Sequence, residues 1–167
     1  IMNTVAYNVP KVPGEAEDHE GIIMADALRS CRTADDFERY LEANLGPELG
    51  AQTNFGVIDA DGGAAIFEVH NHGIERLDAA DQPTHYLVNT NFSRTGTADE
   101  GEDYLRFERA SELFRTFAPG RVDPEVILHR FSRDLGHPLL DDVAIEDLAT
   151  LPSRPPVWIN TRDRIDR

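Results

Sequence analysis

The chain has 167 residues and a formal net charge of −15, with 31 acidic residues against 16 basic ones. That acidity excludes non-specific binding to nucleic acid or to an anionic membrane, because phosphate contacts need a basic surface. Cys31 is the sole cysteine, which excludes an internal disulfide framework. With 40% hydrophobic residues the composition is that of a globular protein.

No apolar run is long enough to span a bilayer and no signal-peptide pattern is present, so a cytoplasmic protein is expected. The length suits a single domain over residues 1–167. Ile1 to Val9 reads as a strand by its alternation, with Ile1, Asn3, Val5 and Tyr7 opposite Met2, Thr4, Ala6 and Asn8. Pro10, Pro13 and Gly14 end it, and a polar loop runs to about His19. Gly21 to Cys31 is predicted to be a helix with Met24, Ala27, Leu28 and Cys31 on its apolar face, which makes Cys31 a buried small hydrophobe.

Thr33 with Asp36 three residues on signals a capped helix start. Phe37, Tyr40, Leu41 and Leu45 form its stripe, and Gly46-Pro47 stops it. Asp61-Gly62-Gly63 then joins two strands, Asn54–Ala60 and Ala64–His70, apolar at nearly every position and so expected to be covered on both faces. A more polar strand is expected over Gly73–Leu77, and another at Tyr86-Leu87-Val88. Residues 1–8, 54–60, 64–70 and 85–90 are expected in one antiparallel sheet.

Beyond a polar loop, Asp103–Phe117 reads as a helix with Phe107, Ala110, Phe114 and Phe117 on one side. Asp123 and Pro124 start another that runs to Gly136. A helical turn over Ile145–Leu148 and a last strand at Val157-Trp158-Ile159 complete an α+β chain.

The stretch with chemical content is Val88-Asn89-Thr90-Asn91-Phe92-Ser93-Arg94, where an apolar run ends in a crowd of amide and hydroxyl groups. Such groups at a strand end present donors to a substrate oxygen, or else satisfy a turn. His70-Asn71-His72 offers two imidazoles with no further ligand at a recognisable spacing, so no metal is expected, and no cofactor motif is present.

Ile1-Met2-Asn3-Thr4-Val5-Ala6-Tyr7-Asn8, the strand pair containing Glu68, Val88-Asn89-Thr90-Asn91 and Tyr104-Leu105-Arg106-Phe107-Glu108-Arg109 occur in one order. Together they resemble the N-terminal-nucleophile (Ntn) hydrolases of the choloylglycine hydrolase and acyl-CoA:6-aminopenicillanate (isopenicillin-N) acyltransferase type. The resemblance covers most of residues 1–118. It implies an αββα sandwich, incomplete here, and acyl transfer from a small-molecule amide or acyl donor through an N-terminal Cys. It further implies catalytic roles for Asn91 as oxyanion donor and for Asn3 and Arg106, and substrate contacts from Thr4, Thr90 and Phe92. The nucleophilic Cys is absent; in the family it precedes the strand with which this chain opens. The chain is therefore expected to be the middle of a longer domain and inert alone. The alternative is a small non-catalytic α+β binding or interaction module. A sheet edge left exposed would in either case invite a homo-oligomer.

Overall fold

The structure, a computed structural model, describes residues 1–9, 11–96, 102–117, 121–129 and 131–134. Its contacts divide the chain into two compact units, Ile1–Asp99 and Glu100–Arg167.

The first unit is built on a four-stranded antiparallel sheet of β1 (Met2–Val5), β2 (Gln52–Ile58), β3 (Ala64–His70) and β4 (Gly73–Asp78), in that order. Two helices, α1 (Glu20–Ser30) and α2 (Ala34–Asn44), connect β1 to β2. The start of α2 follows the sequence: Thr33 Oγ1 accepts from the Asp36 N–H while the Asp36 carboxylate accepts from the Thr33 N–H. Asp59 ties the β2–β3 turn to the same helix end, its Oδ2 accepting from Ala34 N–H at 3.0 Å and its Oδ1 from Gly63 N–H at 2.7 Å. Gly62 takes the positive φ of 89° that this turn requires.

Alternation gives the sheet two different faces. Asn3, Phe55, Phe67 and Arg76 pair across it in one row. Phe55 and Phe67 are fully buried beneath α2, where Phe37 meets both rings edge-on at 5.4 and 5.2 Å. Ile23, Ala27, Leu41 and Val69 complete this core. Arg76 caps it at the β4 edge, 5.6 Å over the Phe67 ring and ion-paired with Asp78, Asp35 and Glu38. These bonds, the one to Asp78 foremost, raise the Arg76 pKa further above its ordinary range.

Several expectations are corrected. Of the expected α1 stripe Ala27 is buried and Met24 and Cys31 pack against the core, but Leu28 is 73% exposed and Ile23 joins the buried face instead. Cys31 ends α1 half-buried against the core. Residues 85–90 are not a strand: Tyr86-Leu87-Val88 is apolar because it flanks the opposite face of the sheet, and it forms no ladder with it.

In the second unit α3 (Glu102–Phe114) is followed by α4 (Pro124–His129) and a 3₁₀ turn at Phe131–Arg133. The helix expected to reach Gly136 stops at His129. Phe131 closes an aromatic cluster with Phe114 and Phe117, at 5.4 and 5.1 Å. Arg109 holds Asp134 along one guanidinium edge, Nε donating to Oδ1 at 3.0 Å and Nη2 to Oδ2 at 2.8 Å. The expected turn at Ile145–Leu148 and strand at Val157–Ile159 lie outside the described residues.

Candidate functional site

The sheet face opposite the helices carries a polar row. Thr4 pairs with Asn54, and Asn54 with Glu68, so their side chains project together. Asn54 and Glu68 are 1% and 2% exposed, which a polar amide and a carboxylate tolerate only if their bonds are met. They meet them on the backbone of residues 90–95.

The bonding runs residue by residue. The Thr90 carbonyl accepts from Thr4 Oγ1 at 3.1 Å, and the Phe92 carbonyl accepts from Asn54 Nδ2 at 2.9 Å. Ser93 Oγ donates to Asn54 Oδ1 at 2.6 Å. The Asn8 amide pairs with Ser93 in both directions, accepting from its N–H at 2.7 Å and donating to its carbonyl at 2.6 Å. Glu68 then accepts from Arg94 N–H at 2.8 Å, Thr95 N–H at 2.9 Å and Thr95 Oγ1 at 2.7 Å. A segment without strand geometry is thus held by side chains in place of a ladder.

Asn91 sits inside this clamp. Its carbonyl accepts from Tyr7 N–H at 3.0 Å. Its half-buried side-chain amide takes part in no hydrogen bond among the described residues. The neighbouring amides are all engaged: Asn89 donates to Thr4 Oγ1 at 3.2 Å and to the Thr90 carbonyl at 3.0 Å.

Beside the clamp lies a cleft of about 560 Å³ between this sheet face and residues 85–89. Met2, Gly56, Ile66, Tyr86 and Leu87 line it, and Thr4, Asn54 and Asn89 form a polar end that it shares with the clamp. His85 at its rim holds a positive φ of 55°, an uncommon conformation of the kind that collects at functional sites.

Of the residues nominated from sequence, the structure brings Thr4, Thr90, Asn91 and Phe92 together. Phe92 is 7% exposed, so its ring packs inward. Asn3 borders the cleft, but its strand position belongs to the Phe55–Phe67 row of the helix side. Arg106 is on α3 in the second unit. Sequence reasoning missed Asn8, Asn54 and Glu68; the available signal was a polar residue interrupting a run of strand apolars.

Among the described residues no three His, Cys, Asp or Glu side chains gather around His70 and His72 in a way that could hold a metal ion. His72 Nε2 instead meets Glu15 Oε1 at 2.7 Å, and Asn71 Nδ2 donates to Glu15 Oε2 at 3.0 Å. The Asn71 bond, with that of His72, holds the Glu15 carboxyl below its ordinary pKa. Burial, with the nearby His72, lowers that of His70.

Fold and site together define an α+β protein with a four-stranded antiparallel sheet, one face under helices and the other carrying a side-chain clamp and an apolar cleft. No protein family, curated protein or solved structure matches the chain. Among the described residues no helix is long and apolar enough to cross a membrane.

Proposed function

We propose that this chain is the substrate-holding part of an Ntn-type enzyme that hydrolyses, or transfers the acyl group of, a small non-peptide amide in the cytoplasm. Its sheet would be one layer of an αββα sandwich. The nucleophile would be an N-terminal Cys upstream of Ile1, with its own α-amine as base; that amine titrates near neutrality and takes the thiol proton locally. Cys31 does not suit the role, because it packs on the helix side of the sheet against the Phe37 core.

The observation that carries this reading is the clamp. Thr4, Asn8, Asn54 and Glu68 hold the backbone on both sides of Asn91, while the Asn91 amide has no bond among the described residues. The clamp fixes the backbone that carries Asn91, and a donor carried on a fixed backbone reorganises less as an oxyanion forms. In this role Asn91 acts as oxyanion donor from the clamp beside the cleft, Thr4 lines the polar end of the cleft, and Thr90 and Phe92 are held next to Asn91 through their carbonyls. Asn3 and Arg106 rest on the resemblance alone.

The test is turnover of neutral N-acyl amides by the protein carrying the residues upstream of Ile1. Expected is a covalent acyl-enzyme on an N-terminal Cys, detected by intact mass. Full activity with that Cys replaced by Ala overturns the Cys mechanism, and no turnover by the protein with its upstream residues leaves a non-catalytic binding module, for which the same cleft would serve.

A further inference from the structure

We propose that the cleft beside the clamp seats an uncharged, unbranched apolar chain, and that Met2 lying over Gly56 sets its width. The proposal rests on the acyl-transfer reading in naming that chain as the acyl group of the substrate.

Charge decides the ligand class. In a chain of which 28% is charged, no Asp, Glu, Lys or Arg among the described residues lines this cleft. His85 also lines it. An ionic group placed inside would lose hydration and find no counter-charge among the described residues that line the cleft. The polar atoms gather instead at the Thr4, Asn54 and Asn89 end. A neutral carbonyl or amide therefore belongs at that end, with its hydrocarbon tail running toward Ile58 and Ala64.

The width follows from one row of the sheet. Met2 pairs with Gly56, Gly56 with Ile66, and Ile66 with Leu77. Gly56 supplies no side chain, and its φ is not in the left-handed region, so its backbone does not require glycine. A Cβ at Gly56 would stand 3.1 Å from Met2 Cγ and 3.7 Å from Met2 Sδ. The Met2 side chain thus leans across the gap that glycine leaves, while the residue remains 62% exposed. An unbranched thioether in that position is a movable floor. A side chain at 56 pushes it into the cleft, and a shortened side chain at 2 opens the space over Gly56.

Binding of neutral amides to the chain itself tests this, read from the backbone amide NMR signals of Gly56, Ile66 and Leu87. Butanamide, hexanamide and octanamide should bind in increasing order, each buried methylene tightening binding about fourfold. Gly56→Val should weaken octanamide about tenfold or more while leaving butanamide within about twofold. Met2→Ala, at an exposed site with little effect on folding, should raise the affinity of 3-cyclohexylpropanamide relative to octanamide about fivefold. The Met2 variant decides the question if the Gly56 variant fails to fold. Affinity independent of chain length, or both width variants binding like the parent, overturns the proposal. Because no turnover is involved, the two readings fail separately: intact chain-length dependence beside an inactive full-length protein keeps the apolar seat and removes only the acyl-transfer role.

Discussion

Ser93 Oγ and Asn54 Oδ1 stand 2.6 Å apart, and the same Asn54 amide donates to the Phe92 carbonyl at 2.9 Å. One buried side chain on β2 thereby fixes two successive residues of a segment that no strand pairs. Asn54→Ala leaves a hydroxyl and a carbonyl without these partners in a site that is 1% exposed. The expected cost is about 3 kcal/mol, from roughly 1–3 kcal/mol for each buried group left unmet. Asn54→Asp should also destabilise, since a carboxylate accepts from Ser93 but cannot donate to Phe92. Urea unfolding measures both; parent-like midpoints would show that the 90–95 segment is held by other means.

The helical layer was legible in the sequence because its signals are local. The Thr33–Asp36 capping box and the Asp61-Gly62-Gly63 turn both formed where expected. The clamp was not legible, because its partners lie far apart in the chain: Asn8 and Ser93 are 85 residues apart, and Glu68 and Thr95 are 27 apart. Periodicity also misassigned Tyr86-Leu87-Val88. An apolar run reports only that its side chains are covered, not that its backbone pairs, and here it flanks a cleft. Asn91 was legible as a candidate, but only the structure distinguishes its uncommitted amide from the engaged amides of Asn54 and Asn89.

Asp59 should make stability depend on pH. Hydrogen bonds from the backbone N–H groups of Ala34, Gly63 and Asp61, that of Ala34 foremost, hold its carboxyl below the ordinary value of 3.8. Asp36 is lowered likewise by the N–H groups of Arg32 and Thr33 and by Arg39. A carboxyl lowered in the folded state contributes fully above the unfolded value and loses its contribution as pH falls through the folded one. The melting temperature should therefore decline below about pH 4. Asp59→Asn should melt lower than the parent at pH 7, with the gap closing toward pH 3. A gap that stays constant over this range would mean that the charge of Asp59 contributes nothing.

Two glycine substitutions should have opposite signs. At Gly96 a Cβ would meet Asn8 Nδ2 at 2.5 Å and the Asn8 carbonyl oxygen at 2.8 Å. A backbone atom cannot step aside cheaply, so Gly96→Ala should break the Asn8–Ser93 pairing and destabilise by about 1–3 kcal/mol. Gly21 lies inside α1 with nothing within 4 Å of such a Cβ. There, Gly21→Ala should stabilise by about 0.5–1 kcal/mol, because alanine has less backbone freedom to lose. Thermal melts of the two variants check both signs, and a stable Gly96→Ala would place the Asn8 contact outside the fold's essential bonding.

Asn91→Ala separates folding from chemistry. The Asn91 carbonyl, which accepts from Tyr7, survives the substitution, and the side-chain amide has no bond among the described residues to lose. The melting temperature should therefore stay close to the parent value, in contrast to Asn54→Ala. In the protein that carries the upstream nucleophile, the same change should lower kcat about 10²–10³-fold, the usual loss for one oxyanion donor. KM should change little, since a donor aimed at a developing charge contributes mainly in the transition state. Asn91→Asp should be slower still, because a carboxylate cannot donate and repels the oxyanion. If Asn91→Ala melts lower while kcat is unchanged, the amide caps a turn and the oxyanion role is lost.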